Sequence, residues 1–302
     1  MKFLEKIFSI KNEYKNNEKI KKFNLLGLKI CFVSSILKDP TIFDIDIKKY
    51  KGLLNNKSKI NTVVLGSSHA RDGFVPSLEM FNLANSSQDL YRIYRLYDWL
   101  TRNNFSNLRN IVVYYDVFHP GFKLEKTCEA YKCIPYRYLF NIQYNGELNK
   151  ALSKFEKKAR KYFECNSVEA RNYCGESLRN VFHDPNTIVS ELVAKHLKNN
   201  RRSDNQNVYL EKLIAKALSN QHNVYIVLPP YKKEYNDCLP NQNDIFKDLF
   251  LLIQKYPKVK LLNYQYCINF NSNDFDDIDH LSISGAEKLT KLIKEEIKKE
   301  NE

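Results

Sequence analysis

The chain has 302 residues, 43% of them hydrophobic, and a formal net charge of +13. That length suffices for one large α/β domain or two small ones, and a content of only 8 glycines and 9 prolines excludes fibrous and low-complexity classes. The charge is front-loaded, with 14 lysines against 6 acidic residues in positions 1–60, which points that end at an anionic surface.

Residues 1–58 read as a basic leader. Its first twenty residues are charged throughout, with no apolar run of the secretory kind. The stretch "FNLLGLKICFVSSIL" is broken by Lys29 and falls short of the roughly 20 residues that span a bilayer; it can lie on a membrane or pack as a strand. The expected location is the cytoplasm, with peripheral contact at the inner membrane through this leader. The 7 cysteines, an odd number without a C-x-x-C pair, fit a reducing compartment. The irregular spacing of Cys128, Cys133, Cys165 and Cys174 is a poor metal-site pattern, and no metal is expected. Zinc-finger spacing and RNP-like signatures are missing too, so no nucleic-acid partner is expected.

From residue 59 the pattern becomes regular. "NTVVLG", "FNLA", "NIVVYYDVF", "NVYIVLPP" and "VKLLNY" are short apolar runs bounded by turn residues, the signature of buried strands. Between and after them come helical patterns: "QDLYRIYRLYDWLTRN", with Leu90, Ile93, Tyr94 and Tyr97 on one face, then "YLEKLIAKALSN", "IFKDLFLLIQKY" and "SGAEKLTKLIKEEIKKE". This alternation over 59–302 predicts an α/β fold: a three-layer sandwich around a mainly parallel, flavodoxin-like five-stranded sheet. Residues 120–206 interrupt it with a helical insertion rich in Lys, Arg and Tyr, read either as a lid over the carboxyl edge of the sheet or as an extra helical layer.

Two blocks carry chemistry. The first strand runs into Gly66-Ser67-Ser68-His69, and the last helix is preceded by "FDDIDHLSISGAEKL". In the second block Asp277 stands three residues before His280, so its carboxylate can reach Nδ1 and leave Nε2 facing a nucleophile. Ser284, with Glu287 three residues on, is the expected helix cap, and Asp279 is expected to be a solvated neighbour.

The pair of blocks resembles the SGNH (GDSL-like) hydrolase and acyltransferase superfamily. There a nucleophilic serine follows the first strand and a late D-x-x-H supplies the base and its orienter. The resemblance implies Ser68 as nucleophile, His280 as base and Asp277 as orienter. Ser67 replaces the usual Asp, as in a "GSSH" branch linked to modification of bacterial surface polysaccharide. The family's second block offers a backbone N–H to the oxyanion; here "NLANSSQD" makes Ser87 the match, beside the N–H of Ser68. The third block, normally G-x-N-D, reads "YYDVFHPGF", which leaves Asp116 or His119 to serve in place of its Asn. His69 is expected to line the substrate pocket or to be hydrogen-bonded, rather than to act as a second base, and Tyr231 to line that pocket or to serve a structural turn; His183 and His196 have no visible partner. The leader, "MKFLEKIFSIKNEYKNNEKIKKFNLLGLKICF", resembles leaders on some bacterial surface-glycan transferases.

What the resemblance implies is an O-acyltransferase, most simply an O-acetyltransferase, acting on a surface polysaccharide or lipid-linked glycan. It would hold no bound cofactor and use acetyl-CoA or another acyl donor as co-substrate. An esterase or deacetylase with the same triad, and a non-catalytic glycan-binding protein on the same fold, are the alternatives.

Overall fold

The computed structural model of the chain describes residues 8–15, 18–25, 28–35, 43–146, 150–177, 187–200 and 205–300. Contacts divide it into two compact units: Met1–Lys51 with Glu125–Ala170, and Gly52–Leu124 with Arg171–Glu302. This differs from a leader ending at residue 58 and one insertion at 120–206. The first part of the insertion shares a core with the N-terminal segment, and the remainder belongs to the α/β unit.

The larger unit holds the five expected strands: β4 (Thr62–Leu65), β5 (Met80–Asn82), β6 (Asn110–Tyr114), β7 (Asn223–Leu228) and β8 (Lys260–Asn263). All pair in parallel, in the order β5-β4-β6-β7-β8. Within this sheet that is second-first-third-fourth-fifth, the flavodoxin-like order. The central strands are Val/Ile-rich and almost fully buried along their length, as expected of a parallel sheet covered on both faces.

Successive strand residues face opposite layers. Val64, Val112, Tyr114, Tyr225 and Val227 pack with Leu289, Ile293 and Ile297 of the last helix, α8 (Ile283–Lys299), and with Ala70 of the short helix α2 (Ser68–Gly73). Helices α3 (Leu90–Arg102) and α7 (Asn207–Ser219) pack on each other in the other layer. On α3 the buried face is Leu90, Ile93, Leu96, Tyr97 and Leu100, with Tyr94 only half-buried at its margin.

This order positions the site. The connection from β4 leads outward to β5, while β6 lies on β4's other side. The two chain paths part above β4 and β6, and such a switch point opens a crevice at the carboxyl ends of the strands. Gly66-Ser67-Ser68 and Asp116 stand at those two ends. The late part of the insertion reaches the same edge. In α6 (Val189–Asn200), the Asn200 side chain donates to the Val117 carbonyl at 2.7 Å and the Ile245 carbonyl at 3.2 Å.

The smaller unit pairs β1 (Phe8–Lys15), β2 (Glu18–Leu25) and β3 (Leu28–Ser35) as an antiparallel meander. Its core gathers Phe43, just ahead of α1 (Asp44–Asn55), and Ile47 within it, with Ile134 of α4 (Ile134–Phe140) and Leu152, Ala159 and Tyr162 of α5 (Lys150–Cys165). The leader therefore includes a sheet and a helix that carries core residues. Among the described residues no helix is long and apolar enough to cross a membrane, and no disulfide joins any of the cysteines.

Candidate active site

The chain turns sharply at the end of β4. Gly66 has φ 149°, and a Cβ there would lie 2.7 Å from the Ala70 Cβ and 2.9 Å from the Tyr114 Cβ, so only glycine fits. Ser67 then caps α2, its hydroxyl accepting the His69 N–H at 3.2 Å. Ser68 is the first residue of that helix and is half-buried, whereas Ser67 is fully buried. At the far end of the helix the Tyr114 hydroxyl donates to the Gly73 carbonyl at 3.1 Å.

The D-x-x-H block forms a closed loop. Phe275 and Leu281 make an isolated antiparallel bridge, and the Asp276 N–H donates to the His280 carbonyl at 3.0 Å. The helix cap is Ser282 rather than Ser284: its hydroxyl accepts the Gly285 N–H, and its own N–H donates to the Asp274 carbonyl at 2.8 Å. Glycine at 285 is what permits this approach, since a Cβ there would stand 2.0 Å from the Asp274 carbonyl oxygen. The expected box of Ser284 and Glu287 is displaced by two residues because the loop closes onto Asp274 first.

The two blocks meet above the switch point. His280 Nε2 lies 2.8 Å from Ser68 Oγ, and His280 Nδ1 lies 2.9 Å from Asp277 Oδ2. Asp277 Oδ1 also accepts the backbone N–H groups of Asp279 at 2.9 Å and His280 at 2.6 Å, so the orienting carboxylate is itself locked. Hydroxyl, imidazole and carboxylate are in the order that nucleophilic acyl chemistry requires.

A second layer of charge lies behind this triad, and only part of it was expected. Asp279 is not solvated: it is 5% exposed, with Oδ1 at 3.1 Å from His280 Nδ1 and Oδ2 at 3.3 Å from His69 Nε2. His69 Nδ1 in turn lies 2.9 Å from Asp116 Oδ1, and the His69 ring stacks on that of His280 at 4.7 Å. Asp116 also accepts a short hydrogen bond from the Ser67 hydroxyl. Burial opposes charge on both imidazoles, but the carboxylates outweigh it. His280 is raised to about 9 by its bonds to Asp277 and Asp279, and His69 rises well above its ordinary value beside Asp116 and Asp279. Burial likewise opposes the charge of Asp116 and Asp279, yet the adjoining imidazoles hold both below the usual carboxylate range.

Four residues read as candidate substrate contacts lie in the interior instead. Asp116 and His119 are 0% exposed. Asp116, held ionised, can only accept hydrogen bonds, so it cannot replace the Asn donor of the family's third block. His119 Nδ1 accepts the Asp116 N–H at 2.7 Å and its Nε2 donates to the Gln88 carbonyl at 3.1 Å, which commits both nitrogens. Burial lowers its pKa, in keeping with a neutral ring. Tyr231 is buried, edge-on to His69 at 5.4 Å and tilted against Tyr235 at 4.6 Å. His69 too is buried within the network, hydrogen-bonded as expected but not a pocket wall. His196 does have a partner: its Nδ1 lies 2.6 Å from the Tyr235 hydroxyl, and burial pushes it down to about 4. His183 falls outside the described residues.

The turn bearing Ser87 is bound to the nucleophile turn. The Gly66 N–H donates to Gln88 Oε1 at 3.0 Å, and the Asn85 N–H to the Gly66 carbonyl at 3.1 Å. Ser87 itself is left-handed, with φ 59°. Asp89 ends this turn by capping α3. It accepts the Arg92 N–H at 3.0 Å, pairs with the Arg92 guanidinium at 2.5 Å and accepts the Leu124 N–H at 2.9 Å, all in the interior. Removing one partner of such a buried pair costs about 3–5 kcal/mol, so the turn is held firmly where an oxyanion donor would be needed.

Sequence reasoning missed Gln88 and the interior role of Asp116, and it misread Asp279 as solvated. The signal for Asp279 was present, because a carboxylate one residue before a histidine in a tight loop can reach the same ring. Two open clefts lie elsewhere on the larger unit. One of about 410 Å³ runs along Val75, Thr290, Lys291, Lys294 and Lys298, and one of about 310 Å³ is lined by Asn207, Glu211, Asp248 and Lys255. Neither is lined by Ser68 or His280. No protein-family model matches the chain, and no curated protein matches it.

Proposed function

We propose that the protein is an O-acyltransferase that uses Ser68, His280 and Asp277 to move an acyl group, most simply acetyl, onto a sugar hydroxyl of a bacterial surface polysaccharide or lipid-linked glycan. The observation that carries the acyl chemistry is the 2.8 Å approach of His280 Nε2 to Ser68 Oγ, backed by Asp277 at 2.9 Å. The transferase step and the glycan rest on the resemblance of the "GSSH" block and the basic leader.

In this reading Ser68 Oγ attacks the carbonyl of an acyl thioester such as acetyl-CoA while His280 Nε2 takes its proton. The tetrahedral oxyanion is stabilised by the backbone N–H of Ser68 and the turn at Ser87. Its collapse expels the thiolate, which leaves with the proton from His280. The sugar hydroxyl then attacks the acyl-serine, gives its proton to His280, and the restored Ser68 regains it as the ester departs. Asp277 holds the ring so that Nε2 faces the serine throughout. The setting proposed is cytoplasmic, with the basic meander resting on the inner membrane where lipid-linked glycan is found.

A serine-reactive fluorophosphonate tests the chemistry. Labelling at Ser68, with rapid acyl release only when a glycan acceptor is added, supports the transferase. Equally rapid release into water marks an esterase. An unlabelled Ser68 leaves a glycan-binding protein.

A further inference from the structure

His280 has more negative charge around it than a base needs for orientation. Asp277 lies 2.9 Å from Nδ1 and already fixes the ring, because its own carboxylate is tied to two backbone N–H groups. One N–H needs one acceptor. Asp279 nonetheless places an oxygen of a second carboxylate 3.1 Å from the same nitrogen, in a position 5% exposed.

Asp279 is kept there from behind. Its other oxygen faces His69 Nε2 at 3.3 Å, and His69 is anchored through Nδ1 to Asp116 at 2.9 Å. Asp116 follows the end of β6, His69 belongs to α2, and Asp279 to the loop before α8, so the chain of contacts ties the nucleophile's helix to the base's loop. We propose that Asp279 is a second carboxylate partner of His280, a positioning residue clamped by His69 and Asp116 that strengthens the base without being needed to orient it. This rests on the reading of His280 as the base for Ser68.

The charged groups around the ring come from every element packed on it. Asp277 and Asp279 share its loop; His69 and Asp72 lie on α2, the latter held by Arg71 and Ser177; Asp116 acts from β6 through His69. His196 of α6 is neutral above about pH 4, and the buried Tyr231 and Tyr235 stay protonated. His69 is a cation that opposes protonation of His280, and Asp279 bridges the two. Removing the Asp279 charge therefore weakens the base twice: one carboxylate is lost, and the His69 charge is left unshielded.

The test is the pH dependence of Ser68 labelling by a fluorophosphonate, in the full chain. Asp279→Asn should shift the midpoint down by about one unit, the lower end of what a single opposite charge does, and lower the alkaline plateau. Asp279→Glu, which retains the charge, should restore most of both. A folded Asp279→Asn protein whose midpoint is unmoved overturns the proposal while leaving the acyltransferase reading intact. Failure of that reading looks different: wild-type Ser68 is unlabelled at every pH. In that case, or if Asp279→Asn does not fold, imidazole resonances of the wild-type chain decide. A His280 midpoint near 9 with His69 still charged supports the clamp, and one at or below 7 overturns it.

Discussion

His69 and His280 stack at 4.7 Å with their planes only 20° apart, one buried and one half-buried imidazole flanked by three carboxylates. Like charges that close repel, so the pair can be doubly protonated only because Asp116, Asp279 and Asp277 surround it. The base of the site is thus strong, and at neutral pH it is mostly occupied by a proton.

The first consequence is kinetic. With a pKa of about 9, only roughly 1% of His280 is free to accept a proton at pH 7. The Ser68 labelling rate should rise close to tenfold per pH unit from 7 to 8 and level off above about 9. A rate already level at pH 7, with a midpoint near 6.5, would contradict the ionised cluster.

The two adjacent serines separate chemistry from scaffold. Ser68→Ala removes a half-buried hydroxyl that, among the described residues, is bonded only to His280, so labelling and turnover should vanish while the melting temperature changes little. Ser67→Ala removes the α2 cap and the donor to Asp116. It should cost about 1 kcal/mol for the cap and a further 1–3 kcal/mol for the unsatisfied carboxylate, with labelling reduced but present. If instead Ser67→Ala abolishes labelling and Ser68→Ala is tolerated, the nucleophile is the wrong serine.

Asp277→Asn should be milder than Ser68→Ala. Where a single carboxylate orients the base, its replacement by Asn lowers turnover roughly 10⁴-fold by favouring the wrong tautomer. Here Asp279 still offers an acceptor 3.1 Å from Nδ1, so the correct tautomer retains a partner and the loss in kcat should fall well short of that. A full 10⁴-fold loss would mean that Asp279 cannot take over.

The five strands were legible because β-branched runs ended at turn residues, and the triad because its two blocks kept a fixed order along the chain. Ser68, His280 and Asp277 needed only the assumption that both loops open on one edge of a parallel sheet. Asp116 and His119 were misassigned for a physical reason: a polar residue just past a strand looks the same in sequence whether it faces substrate or turns inward. Inward-facing partners such as Ser67, Gln88 and His69 come from other strand ends and become neighbours only once the strand order is known. Asp279 was passed over because Asp277 alone satisfied the motif. The meander at 8–35 was obscured by its lysines, which alternate imperfectly with the apolar residues.

Stability should depend on pH in two directions. The folded value of His280 lies above its ordinary 6.5, so its ion pairs contribute fully below pH 6.5 and are lost as pH rises through about 9. A shift of that size corresponds to on the order of 3 kcal/mol. His69, also raised, adds in the same direction. Asp72, Asp116 and Asp279 are depressed, so their contribution is present above the ordinary carboxylate pKa of about 4 and fades as pH falls. Thermal unfolding should therefore show its highest melting temperature between about pH 4 and 6.5, with a fall of several degrees by pH 9.5. A flat profile from 5.5 to 9.5 would rule out buried, charged imidazoles. The reactive form of the site thus emerges in the range where the fold is losing support.

The meander offers a test of membrane contact that spares the fold. By register Ile10, Phe23 and Ile30 form one row, with Lys21 and Phe32 paired two residues along. Phe23 and Phe32 meet edge to face at 5.5 Å, and the Lys21 ammonium lies 4.7 Å over the Phe23 ring. Ile10, Ile30 and Phe32 are 45%, 43% and 59% exposed. Apolar rings and aliphatics beside lysines are what an anionic bilayer surface accepts, each lysine contributing about 1 kcal/mol there. Deleting residues 1–58 is a poor probe, because Phe43 and Ile47 belong to the core of this unit. Replacing Lys19 and Lys21 by Gln leaves that core alone and should weaken binding to vesicles containing phosphatidylglycerol by roughly 30-fold, and Phe32→Ser should weaken it further. Raising salt from 0.1 to 1 M shortens the screening length from about 10 to 3 Å and should release most of the wild-type chain from the vesicles. Binding that is equally strong on pure phosphatidylcholine, or untouched by these substitutions, would detach the meander from any membrane role and leave the acyl chemistry of Ser68 to be judged by itself.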